Sequence, residues 1–165
     1  MTAEVAAQPP RLEFLLEARV KLGELTMAGS YADGHERGFL SLLGGEFDGP
    51  GLRGTILPST KDWPVYYGNG VRATDVDYVY LTDDGAYLFV KVRGYRYDRA
   101  QLDGGLLAAE TMELAPNPHR AFVDIQAPQK SRYEWLSHNL FVGIGGQGAM
   151  KRADRTAVLR IYRLL

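Results

Sequence analysis

The chain has 165 residues, 45% of them hydrophobic, which is enough to bury one sizeable core and too few to argue for two. With 19 Lys and Arg against 20 Asp and Glu the net charge is −1, so bulk electrostatics select neither nucleic acid nor an anionic membrane. No cysteine is present, which excludes disulfides, thiolate metal sites and cysteine nucleophiles.

In chain order, residues 1–11 are small and polar, carry no secretory signal pattern, and are expected to be loosely held ahead of a single domain over 12–165. No apolar run reaches the length of a membrane-crossing helix, and a cytoplasmic setting is the default expectation. From Leu12 to Leu22, the residues Leu12, Phe14, Leu16, Ala18, Val20 and Leu22 alternate with Glu13, Leu15, Glu17, Arg19 and Lys21. That period of two predicts a half-buried strand, with Leu15 stranded on its charged face. An apolar run over 39–43 ends at Gly44-Gly45. Residues 52–57 form another, bounded by a Gly-Pro turn at 49–51 and by Pro58. Strands over 71–82 and 86–97 are joined by Asp83-Asp84-Gly85, residue types that tolerate the positive φ of a tight hairpin.

Two segments break this rhythm. Residues 101–118 carry Leu102, Leu106, Leu107 and Met112 before Pro116 and Pro118, and predict a short helical insertion, either a lid or a surface excursion. Residues 131–139 place Tyr133, Trp135 and Leu136 at roughly helical spacing. A last strand runs over 156–164. Short strands separated by Gly, Pro and Asp turns, with no alternating helices, specify an antiparallel sandwich or barrel.

The run from Gly44 to Pro50 with Leu52, Gly54, Pro58 and Asp62-Trp63, then Thr82 to Ala86, then Tyr133, Trp135-Leu136, Asn139 and Phe141-Val142-Gly143, resembles the family catalogued as domain of unknown function 3237. The resemblance extends from about Phe14 to Tyr162. It implies an all-β, single-domain, antiparallel up-and-down β-barrel of calycin-like form, often an oligomer. Two departures stand out: Asp77 occupies a position where the family commonly has arginine, and the 98–117 segment is longer than usual.

Motifs for other chemistries are lacking. The run Gly143 to Gly148 has no following Lys-Ser or Lys-Thr, so it is not a phosphate loop, and no Gly-Xaa-Ser-Xaa-Gly elbow occurs. His35, His119 and His138 stand at no metal-ligand spacing, so neither a metal nor a cofactor is called for. His138 follows the Tyr133-Glu134-Trp135 cluster and is a candidate pocket residue.

Carboxylates remain. Asp62 beside Trp63 reads either as a desolvated acid or as a turn cap after Ser59-Thr60. On the strand 71–82, Asp75 and Asp77 share one face with Val79 and Leu81, while Val76, Tyr78 and Tyr80 share the other; which face points inward is open. On the partner strand, Lys91 and Arg93 either pair with these aspartates or hold an anionic substrate.

Ten tyrosines, six phenylalanines and two tryptophans suit a pocket for a planar or hydrophobic molecule. The reading is a cofactor-independent lyase or isomerase acting on a small aromatic or carbonyl compound. Asp62 is its acid or base, Asp75 the charged partner, Lys91 or Arg93 the anion stabiliser, and Trp63, Tyr80 and Trp135 the walls. The alternatives are a non-catalytic carrier or sensor of a hydrophobic small molecule, and a purely structural subunit. A homo-oligomer is expected from exposed apolar groups such as Leu15.

Overall fold

The computed structural model describes residues 9–97, 119–145 and 153–165, and in them an antiparallel sheet closes on itself. The strands are β1 (Leu12–Ser30), β2 (Glu36–Gly49), β3 (Leu52–Ile56), β4 (Ser59–Asp62), β5 (Val65–Tyr66), β6 (Val71–Thr82), β7 (Tyr87–Tyr97), β8 (His119–Gln126), β9 (Phe141–Gly145) and β10 (Thr156–Leu164). From β6 to β10 each strand pairs with the next in chain order, and β10 returns to β1, which also pairs β2. The strands β3, β4 and β5 succeed one another in a single slot between β2 and β6. This is an up-and-down barrel of eight staves, a size whose interior is either filled by side chains or holds one small ligand.

The interrupted stave has a cause in sequence. Pro58 and Pro64 bring no N–H to the ladder, so pairing lapses at each and resumes after it. The flanking backbone keeps the stave in place, with Leu57 N donating to Val79 O at 2.9 Å and Gly38 N donating to Pro64 O at 3.1 Å. The second break leaves Asp62 as the last residue of β4, directly opposite Val76.

Several bulges shift the register, and two of them reset which residues of the core face inward. In β2 the pair Val20–Gly45 is followed by Leu22–Leu42, so β2 carries one extra residue there, and Gly44 sits at φ +99°, where a side chain would be strained. Gly44-Gly45 therefore lies within a strand rather than ending one. Buried positions pass from Leu40 and Leu42 to Phe47 across it. In β1 the register slips between Phe14 and Leu16, so Leu15 and Leu16 are both buried while Leu12 and Phe14 are exposed. Leu15 thus gives no exposed apolar surface, and strict alternation misplaced Leu12 and Phe14.

The core fills one end of the barrel. Leu16, Leu42, Phe47, Val90, Ile125 and Ile161 meet there, nearly solvent-free, each contributing about 1.5–3 kcal/mol by burial. A 3₁₀ helix, Glu134–His138, crosses this end and buries Leu136. Tyr133, just before it, donates its hydroxyl to Asp84 Oδ1 at 2.9 Å, and Thr82 donates to the same oxygen at 2.6 Å. Ala86 N in turn donates to Thr82 Oγ1 at 2.8 Å. These bonds, Thr82's first, hold the Asp84 carboxyl below its ordinary range. The Thr82–Ala86 and Tyr133 motifs are therefore one latch, joining the β6–β7 hairpin to the helix.

That 3₁₀ turn is the helix found among the described residues; the insertion expected over 101–118 lies outside them, as do residues 1–8 and the Gly146 to Gly148 run. No helix among the described residues is long and apolar enough to cross a membrane.

Candidate active site

The pleat of β6 decides the site. Val76 and Tyr80 are buried, so the even-numbered residues face the lumen, and Arg72, Thr74 and Tyr78 belong to the same set. Arg72 lies opposite Arg96 of β7, Thr74 opposite Gly94, and Gly94 opposite Ala121 of β8. Asp62 joins them from β4, and His119 from the first position of β8.

Asp62 is only 6% exposed, and its Oδ1 has no hydrogen-bond partner among the described residues. Burial raises its carboxyl above the ordinary range, against the opposing pull of the Arg72 charge. Asp62 and Arg72 do not close an ion pair: the Arg72 Nε is likewise buried without a partner, and its guanidinium lies 5.5 Å from the centre of the Tyr66 ring. The Tyr78 phenol is held well above its usual value, by burial first and then by the Asp62 charge. Tyr78 meets Tyr80 edge-on at 5.9 Å, and Tyr80 stacks on Phe47 at 4.7 Å. Polar chemistry at Asp62 and Arg72 thus passes through two phenols into the apolar core.

His119 stays neutral near pH 7. Burial, then the positive charges of Arg72 and Arg96, push its imidazole down to about 4. Its Nε2 lies 2.6 Å from Thr74 Oγ1, and Gly94 makes this reach possible, because a Cβ there would stand 2.7 Å from Nε2.

Of the residues singled out from sequence, Asp62 and Tyr80 face the lumen. The reason for Asp62's desolvation differs from expectation: Trp63 points outward, 60% exposed, and the barrel wall excludes the water instead. Asp75 and Asp77 lie on the outer face and do not meet Asp62. There Lys91 reaches Asp77 at 3.3 Å and Asp75 at 3.6 Å, Arg93 reaches Asp75 at 3.7 Å, and Lys61 reaches Asp77 at 3.6 Å. Such an exposed ladder contributes little. Trp135 lies beside Arg163, 5.4 Å from its ring centre, on the helix at the latched end, where His138 is exposed.

Arg72, Thr74, Arg96 and His119 were not singled out. The available signal was the β6 alternation itself, which puts Arg72 and Thr74 on the face of Val76 and Tyr80 once that face is known to be buried.

Fold and site together define a small closed antiparallel β-barrel, apolar at its latched end and ionisable towards the other. Within that class, the chain belongs to the family described as protein of unknown function (DUF3237), whose model matches residues 10–164. It is 28% identical over 158 residues to a UPF0311 protein of Rhodopseudomonas palustris strain TIE-1, covering 94% of this chain and 99% of the relative. Among solved structures, it superposes on a conserved protein of unknown function from Rhodopseudomonas palustris with TM-score 0.80 and 25% identity, covering 96% and 100% of the two chains. A beta-barrel like protein from Acinetobacter baumannii AYE gives TM-score 0.78 at 25% identity, covering 98% and 100%. An enzyme from Penicillium herquei, 19% identical with TM-score 0.65 and covering 96% and 97%, shares the fold.

Proposed function

We propose that the lumen binds a small aromatic or carbonyl compound and that Asp62 moves a proton on it without a cofactor, as an isomerase or lyase does. The observation that carries this reading is the buried Asp62 carboxyl with an unpartnered oxygen, facing a guanidinium with which it does not pair. A buried acceptor left unsatisfied costs roughly 1–3 kcal/mol, and such groups concentrate where chemistry needs them.

In the ionised form Asp62 accepts a proton from the carbon next to a bound carbonyl, and the electron pair of that C–H bond moves onto the carbonyl oxygen. Arg72 supplies positive charge to the resulting enolate, and the Tyr78 hydroxyl a donor. Return of the proton to another carbon completes an isomerisation; departure of a leaving group completes an elimination. Raising the Asp62 pKa strengthens it as a base, and Tyr80 with Phe47 offers a flat apolar wall. Arg72 takes the place expected for Lys91 or Arg93.

The test is deuterium uptake from D₂O into a panel of aryl ketones and aryl keto acids, followed by NMR with and without the protein. Catalysed exchange that falls by roughly 10²–10⁴-fold in Asp62→Asn supports the reading. Tight binding with no exchange above background overturns it in favour of a carrier.

A further inference from the structure

Asp62 and Arg72 are complementary groups in one lumen that do not satisfy each other. Asp62 offers a buried acceptor oxygen and Arg72 a buried N–H, each without a partner among the described residues. Complementary buried charges ordinarily close on one another, because each unpaired group retains its desolvation cost. Their backbone positions are offset: Asp62 of β4 is opposite Val76, whereas Arg72, four residues earlier on β6, is opposite Tyr66 of β5. The Arg72 guanidinium is also engaged over the Tyr66 ring. A ligand that accepts from Arg72 satisfies the donor, and a C–H acidified by a neighbouring carbonyl gives the unpartnered Asp62 oxygen a proton to take.

We propose that the ligand is a planar 2-oxo carboxylate, with its carboxylate and adjacent carbonyl oxygens on the Arg72 fork, its proton-bearing third carbon at Asp62, and an aryl group against Tyr78 and Tyr80. This rests on the acid–base reading above and names its substrate class. A guanidinium matches two neighbouring oxygens of one plane, which a single ketone oxygen does not supply. The cationic character of this region acts on its neighbours, since Arg72 and Arg96 both oppose protonation of His119. His119, neutral and held by Thr74, adds no charge of its own. In the proton transfer, the bond from the third carbon to hydrogen breaks as the Asp62 O–H forms. The electron pair becomes the C2–C3 double bond, and the C2 oxygen carries the negative charge beside Arg72. Return of the proton to that oxygen yields the enol, with no oxidant or co-reactant.

The experiment measures binding of phenylpyruvate and its neutral methyl ester at pH 7 by calorimetry, to the parent, Arg72→Gln, Arg72→Lys and Asp62→Asn. The acid is expected to bind the parent roughly tenfold or more tightly than the ester, the scale of a charge-assisted hydrogen bond. That preference is expected to vanish in Arg72→Gln, to weaken in Arg72→Lys, which keeps the charge and loses the fork, and to persist in Asp62→Asn. Equal binding of acid and ester, no binding of either, or a preference undiminished in both Arg72 variants overturns the proposal. If Arg72→Gln does not fold, Arg72→Lys decides alone. Acid preference without deuterium exchange at the third carbon keeps the ligand class and rejects the chemistry; exchange of neutral ketones without acid preference does the reverse.

Discussion

Thr74 and His119 sit on strands that do not touch, yet Thr74 Oγ1 and His119 Nε2 are 2.6 Å apart across Gly94 of the strand between them. A side chain on Gly94 would occupy the path, its Cβ 2.7 Å from Nε2 and against the Arg120 carbonyl and Ala121. Gly94→Ala is expected to displace the imidazole and to destabilise the barrel by about 1–3 kcal/mol, as overpacking does. A thermal melt reads the loss, and the His119 ring signals in an NMR titration read the displacement. A silent Gly94→Ala would mean that the Thr74 contact is incidental.

His119 makes the barrel acid-sensitive. Its folded pKa is about 4 against an ordinary 6.5, so the unfolded chain takes up this proton first as pH falls. The sign is that of a depressed group: stability is full above about 6.5 and is lost as pH falls through the folded value. His119→Gln should flatten the stability profile between pH 6.5 and 4. An unchanged slope would show that the ring is protonated as easily in the folded barrel as out of it.

Asp62 acts with the opposite sign. Its folded pKa is raised, so its contribution is present below the unfolded value of 3.8 and is lost as pH rises through the folded one. Asp62→Asn should therefore melt higher than the parent at pH 7, with the gain fading towards pH 4, while proton transfer falls. If Asp62 served as a cap, the same change would lower the melting temperature and leave turnover alone.

Tyr133→Phe removes one of the bonds to Asp84 at the latched end and should lower stability by about 1 kcal/mol, the net scale of one hydrogen bond. Because Thr82 shares the same oxygen, Thr82→Val combined with Tyr133→Phe should be less than additive. Ligand binding in the lumen should not change, since the latch lies beyond the apolar core.

The outer ladder is expected to be quiet. Asp75→Asn or Lys91→Gln should shift stability by no more than about 0.5 kcal/mol and leave turnover untouched, as exposed ion pairs do. A large loss of activity in Asp75→Asn would restore the pairing with Asp62 that the fold does not make.

The local signals in the sequence were strong where the physics is local. The Asp83-Asp84-Gly85 hairpin, the strand over 71–82 and the final strand Thr156–Leu164 follow from turn chemistry and period-two patterning, and the structure has them at those places. Asp62 was singled out for its neighbour Trp63, yet Trp63 is exposed and it is the closed wall that buries the carboxyl. The direction of each strand face was not legible. On β6 both faces carry apolar and polar groups, Val76 and Tyr80 with Arg72 on one, Val79 and Leu81 with Asp75 and Asp77 on the other, so alternation divides the residues into two sets without ranking them. Barrel closure ranks them, by burying one set. Bulges at Phe14–Leu16 and Leu42–Gly45 then change parity within a strand, which no fixed period describes. The cluster of Asp62, Arg72, Thr74 and His119 exists only in the folded wall, since Thr74 and His119 are 45 residues apart and meet because three consecutive staves share one curved surface.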